Sequence, residues 1–121
     1  MGLDTSHDCW QGPYSMFMRW RCWLHYYVTN DPKGATREAL VAAWEAGVYD
    51  DQTVPINVLM AHSDCEGEIP AAMCGPIADA LEALLVKMPE RALYDEKRPA
   101  TLRFIAGLRD AAAAGEPVVF A

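Results

Sequence analysis

Residues 54–87 read VPINVLMAHSDCEGEIPAAMCGPIADALEALLVK. An apolar run with a proline in its first turn leads into a polar loop at 62–69. Beyond the loop, Ile77, Leu81, Leu84, Leu85 and Met88 recur at helical spacing. Two helices joined by that loop are the expectation. Pro55 favours a short buried helix over 54–61, while the β-branched Val54, Ile56 and Val58 keep a strand as the alternative. Gly75-Pro76 either starts the second helix or kinks a longer one that opens at Pro70.

Upstream, Pro13 suits the first turn of a helix running from Tyr14 to about Val28. Its apolar residues occupy almost every face, which predicts a central helix or one that lines a cavity. Asn30-Asp31-Pro32 ends it. Asp31 or Thr36 could cap a second helix that reaches Ala46, with Gly47 as the stop and Leu40, Val41, Ala43 and Trp44 as its stripe. Downstream, 97–114 forms another helix, with Leu102, Ile105, Leu108 and Ala112 on one face and Gly115 past its end. The tail at 117–120 reads as extended, to pair with Glu68-Ile69 as a two-strand patch. Residues 1–13 read as polar and turn-rich. The fold expected is mainly α: a compact bundle of about five helices in one domain over 1–121, with an EF-hand-like helix–loop–helix turn at 54–87.

A chain of 121 residues with 52% hydrophobic content can bury roughly two-thirds of its unfolded surface without staples. Seventeen acidic against ten basic residues give a formal charge of −7. That field opposes binding of a nucleic-acid duplex. No secretory signal and no apolar window of membrane-spanning length is visible, so a cytoplasmic protein that makes no membrane contact is expected. The four cysteines, Cys9, Cys22, Cys65 and Cys74, are then expected as reduced thiols.

Two loops carry the unusual chemistry. The 62–69 segment resembles an EF-hand calcium loop, with alternating acids, a glycine and then an isoleucine. His62 stands at the first ligand position and Met73 at the closing one, leaving Asp64, Glu66 and the Glu68 carbonyl as the matching oxygens. A turn of that geometry without metal is therefore the expectation, with no cofactor. The loops also echo each other, Ser6-His7-Asp8-Cys9 against His62-Ser63-Asp64-Cys65. Brought together they could offer zinc two nitrogens and two sulfurs, yet no Cys-x-x-Cys or His-x-x-x-His is present. They could also supply a cysteine–histidine pair for thiol catalysis, with Cys9 or Cys65 as nucleophile and His7 or His62 as base. A buried structural thiol is the commoner role of cysteine, and Cys22 and Cys74 read as core.

Trp10, Tyr14, Phe17, Trp20, Trp23, Tyr26 and Tyr27 are interleaved with Arg19, Arg21 and His25. Rings stack on flat ligands, and arginine forks hold phosphate or carboxylate. The plain alternative is that the rings are core and the arginines pair with surface acids. Ahead of them, Asp4, Thr5, Ser6, His7, Asp8 and Gln11 are hydrogen-bonding rather than packing residues, as in a ligand-binding loop on a rigid helix. A binding site is accordingly expected at Asp4, Thr5, His7, Asp8, Trp10, Tyr14, Arg19, Arg21, His62, Asp64 and Glu66. It requires the start of the chain to fold beside its midpoint, giving one shared cleft floored by rings.

The opening Gly2-Leu3-Asp4-Thr5-Ser6-His7-Asp8, the run Trp10-x-Gly12-x-Tyr14-Ser15-x-Phe17-x-Arg19-Trp20-Arg21 and the loop His62-Ser63-Asp64-Cys65-x-Gly67-Glu68-Ile69 resemble a family of small uncharacterised bacterial and phage proteins. Phe104-Ile105-Ala106-Gly107-Leu108-Arg109 and Gly115-Glu116-x-Val118 belong to the same pattern. The resemblance implies a phage-type protein that acts on a host process in the host cytoplasm, such as capture of a nucleotide signal used in defence. The leading functional expectation is a non-enzymatic binding protein for a small polar, nucleotide-like ligand. An acidic protein–protein inhibitor module with a host protein as partner is one alternative. A metal- or thiol-dependent enzyme using His7, Cys9, His62, Asp64 and Cys65 is the other.

Overall fold

The computed structural model describes residues 2–89 and 96–121. Its elements, in order, are β1 (Gly2–Asp4), a 3-10 turn (Ser6–Asp8), β2 (Gln11–Pro13), α1 (Tyr14–Thr29), α2 (Arg37–Glu45) and α3 (Pro55–Met60). Then follow β3 (Glu68–Ile69), α4 (Ala71–Leu85), α5 (Lys97–Ala114) and β4 (Val118–Val119). The chain is mainly helical, as the apolar periodicity requires. None of the described helices is long and apolar enough to cross a membrane.

Local chemistry settles the open boundaries. α2 is capped by Thr36, whose hydroxyl accepts the Ala39 N–H at 3.1 Å. Asp31 instead turns the preceding loop by accepting the Lys33 N–H at 2.9 Å. Residues 55–60 are helical with Pro55 in the first turn, so the strand alternative fails. The buried Asn57 closes this turn by donating its side-chain amide to the Asp51 carbonyl at 2.9 Å. Pro76 lies inside α4, which starts after Pro70 and continues past the proline. Gly115 ends α5 in the left-handed conformation at φ 67°.

α1 is central. Phe17, Trp20 and Leu24 are buried, and Trp10, Phe17, Trp20, Phe104 and Phe120 form one ring cluster with centroids 4.8–6.5 Å apart. The Trp20 indole donates to the buried Thr101 hydroxyl at 2.9 Å. α4 and α5 make the largest helix–helix interface. The face α5 turns inward is set by Phe104, Ile105, Gly107, Leu108 and Ala111, whereas Leu102, expected there, is 46% exposed. Phe104 is the larger anchor, and it rotates the helix about its axis toward the ring cluster.

The tail pairs as expected, antiparallel, with Glu68 opposite Val119 and Ile69 opposite Val118. The N-terminal hairpin is a finding that the turn-rich reading of 1–13 missed. β1 and β2 pair with Leu3 opposite Gly12. Gly-Leu-Asp and Gln-Gly-Pro carry no strand pattern of their own. They are held by the tail, through reciprocal bonds of 3.0 Å between the backbones of Asp4 and Ala121 and a bridge from Thr5 to Phe120.

His25 of α1 is buried against Tyr49. Burial pushes the Tyr49 phenol up to about 12, so at neutral pH it keeps its proton, and its hydroxyl is hydrogen-bonded to His25 Nδ1. Burial also holds His25 below the usual histidine range. Unfolded, the same imidazole takes a proton near pH ~6.5. The unfolded state then binds more protons than the native one, and stability falls as pH drops through that region. Melting temperatures between pH ~7 and ~5 should therefore decline more steeply in the wild type than in His25→Gln, which keeps an acceptor but does not titrate. Equal slopes would contradict this assignment.

Candidate functional site

The loop at 5–9 is held by α5. His7 and Asp8 both adopt left-handed backbone, at φ 58° and 55°, which costs about 1–3 kcal/mol per residue unless the surroundings enforce it. His7 sits between two carboxylates, Nδ1 at 2.8 Å from Asp110 and Nε2 at 3.4 Å from Glu116. Arg103 donates Nε–H to the Asp8 carbonyl at 3.0 Å. The buried Cys9 lies against Gly107. Thr5 is buried, and its hydroxyl accepts the Trp10 N–H at 2.9 Å.

The 62–69 loop is held from the other side. The His62 ring lies 4.1 Å from that of Phe120, and Phe120 donates its N–H to the Gly67 carbonyl at 2.8 Å. The Val119 N–H reaches the Ser6 hydroxyl, also at 2.8 Å. The start and the midpoint of the chain thus face each other across the tail. Residues 118–121 occupy the space that the expected shared cleft would need, with Phe120 packed on Phe17. The zinc tetrad is not assembled, because His7 and His62 are engaged on opposite sides of the strand. Among the described residues no group of three or more histidines, cysteines and carboxylates is placed to hold a metal ion.

Cysteine–histidine chemistry finds no pair either. Burial pushes the Cys9 thiol up to about 12 and raises Cys22 and Cys74. Cys65 is exposed, and its sulfur meets the Ser63 hydroxyl at 3.5 Å rather than an imidazole.

Arg21, expected to face a ligand, is only 3% exposed. One guanidinium nitrogen donates to the carbonyls of Leu59, Met60 and His62 at 3.4, 3.3 and 2.7 Å. It therefore caps the C-terminal end of α3, where a cation complements the helix dipole. Phe17 and Trp44 flank it at 4.6 and 5.3 Å. Burial draws this group down to about 10, which leaves it charged at neutral pH.

Three of the expected residues do meet. Tyr14 and Arg19 of α1 and Asp64 of the mid-chain loop line a cavity of about 500 Å³, together with Ser15, Met18 and Arg37. Positions 14, 15 and 18 share one helical face, and Arg37 is added by the first turn of α2. Arg19 and Arg37 make no hydrogen bond or ion pair among the described residues. Every other described arginine is engaged: Arg21 on α3, Arg98 on the Leu85 carbonyl, Arg103 on Asp8 and Arg109 on Asp79 and Glu82. Arg37 also stands at a helix N-terminus, where the dipole disfavours a cation by about 0.3–1 kcal/mol. That misfit was the available signal for a residue that periodicity alone overlooked.

The remaining expected residues lie elsewhere. Asp4, Asp8 and Glu66 are exposed. Trp10 belongs to the ring cluster and borders a separate cavity of about 350 Å³ beside Arg103, with its indole nitrogen buried and unpartnered. Comparison with protein-family models, curated proteins and solved structures finds no match.

Proposed function

We propose that the chain is a non-enzymatic binding protein that holds a small, polar, nucleotide-like ligand in the cavity between α1 and α2. One observation carries this reading. In a chain with an excess of seventeen acids over ten bases, the two described arginines left without a partner border the same cavity. An anionic group, phosphate above all, satisfies two guanidinium forks and relieves the cation at the start of α2. Asp64 offers an acceptor for hydroxyl or amino donors at the ligand's other end. Tyr14 and Met18 give an apolar wall.

Thermal-shift and calorimetric titration with a panel of nucleotides and nucleosides tests the reading. A nucleotide is expected to bind, its nucleoside to bind far more weakly, and Arg19→Ala and Arg37→Ala each to raise Kd by about 10- to 100-fold. Unchanged melting across the panel, or binding indifferent to both substitutions, would count decisively against it.

A further inference from the structure

We infer that His62 is a positioning residue, whose protonated ring staples the 62–69 loop so that Asp64 stands at the cavity. The inference rests on the binding role given to that cavity. It is carried by what the two ring nitrogens meet. Nδ1 is 2.8 Å from the Ser63 carbonyl and Nε2 is 3.1 Å from the Glu68 carbonyl. Carbonyl oxygens only accept, so both nitrogens have to donate, and only the imidazolium carries two N–H groups. A neutral ring serves one carbonyl and turns a lone pair toward the other.

The two carbonyls lie at opposite ends of the segment that bears Asp64. With both bonds made, the ring closes the loop on itself. Gly67, at φ 89°, lets the backbone pass beneath the ring, with its ideal Cβ position 3.5 Å from Cε1. The Phe120 ring packs against the imidazole, with centroids 4.1 Å apart. Arg21 fixes the loop's first carbonyl, that of His62 itself. Loss of the proton releases either Ser63 or Glu68, and Asp64 loses its fixed approach to the cavity.

Of the charged groups nearby, Arg21 of α1 donates to the His62 backbone carbonyl, and Asp64, Glu66 and Glu68 belong to the loop itself. α3 and the first turns of α4 bring no acidic or basic side chain, and the tail brings the Phe120 ring.

Backbone ¹⁵N relaxation of residues 63–67, with the ring nitrogens of His62 followed in the same samples, decides the matter between about pH 5 and about pH 8. Asp64 should be ordered, with S² near 0.85, when the ring is protonated, and drop toward 0.6 as the ring loses its proton. His62→Gln, which does not titrate, should show one pH-independent value. Unchanged order in the wild type through the ring's titration overturns the inference, as does the same drop in His62→Gln. Should that variant not fold, the wild-type series alone decides. If no nucleotide binds yet Asp64 follows the ring, the binding reading falls and the staple stands. If nucleotides bind and Asp64 ignores the ring, the staple falls alone.

Discussion

Arg21→Ala is expected to destabilise the protein by on the order of 3 kcal/mol, a large part of the roughly 5–15 kcal/mol that holds a domain folded. Truncation removes a buried side chain packed between Phe17 and Trp44 and leaves a void. It also strips a donor from the end of α3. The carbonyls involved differ in what they retain. Leu59 still accepts from the His62 N–H at 3.3 Å, and Met60 still accepts from the Trp44 indole at 2.9 Å. The His62 carbonyl, at 2.7 Å from the guanidinium, loses its shortest contact. Arg21→Met fills most of the volume and spares the cost of burying a charge, so it should lose about 1–2 kcal/mol. Urea unfolding of the three proteins checks the order wild type, methionine, alanine. A methionine variant as weak as the alanine one would place the whole effect in the charge rather than in the packing.

Gly107→Ala should be destabilising by about 1–3 kcal/mol, against the usual gain of up to ~1 kcal/mol when alanine replaces glycine inside a helix. The added Cβ would stand 2.5 Å from the Cys9 sulfur, 2.7 Å from the His7 carbonyl and 3.0 Å from the Cys9 Cα. Two of these three atoms are backbone and cannot swing aside. α5 would have to part from the 5–9 loop, loosening the grip of Asp110, Glu116 and Arg103 that enforces its left-handed residues. Gly75 supplies the control. It also lies inside a helix, but a Cβ there meets nothing within 4 Å beyond its chain neighbours. The Pro76 ring that follows disfavours helical backbone at a residue bearing a Cβ and offsets the propensity gain, so Gly75→Ala should stay within about 0.5 kcal/mol of the wild type. Thermal unfolding of both variants tests the difference, and a Gly107→Ala protein that melts above the wild type would refute the close approach.

The helices were legible because each carries its own punctuation and period: Pro55, Thr36, Gly115, and the Ile77–Leu81–Leu84 spacing. Even the tail's partner was readable from Val118-Val119 and Glu68-Ile69. The N-terminal hairpin was not, because its stability comes from backbone groups of residues 120–121 rather than from side-chain alternation. Leu102 misled for a related reason: periodicity gives a helix's spacing, while the bulk of Phe104 decides its rotation. The site was half legible. Residue type marked Tyr14, Arg19 and Asp64, but it could not separate an arginine that caps a helix from one that is left free. Nor could it show that Phe120 would fill the gap between two histidine-bearing loops.

The tail's position has a consequence for how the chain reaches its native form. Asp4 bonds with Ala121 and Ser6 with Val119, contacts that join residues more than a hundred positions apart. Closing so long a loop costs entropy before any reward arrives, and topology dominated by such distant pairings slows folding. The helical pairs can collapse locally and early. Val118 and Phe120 of the tail are themselves buried in the core, so the strand that locks the hairpin to the mid-chain loop is joined to the packing around α1, and both loops take their order from that long-range closure.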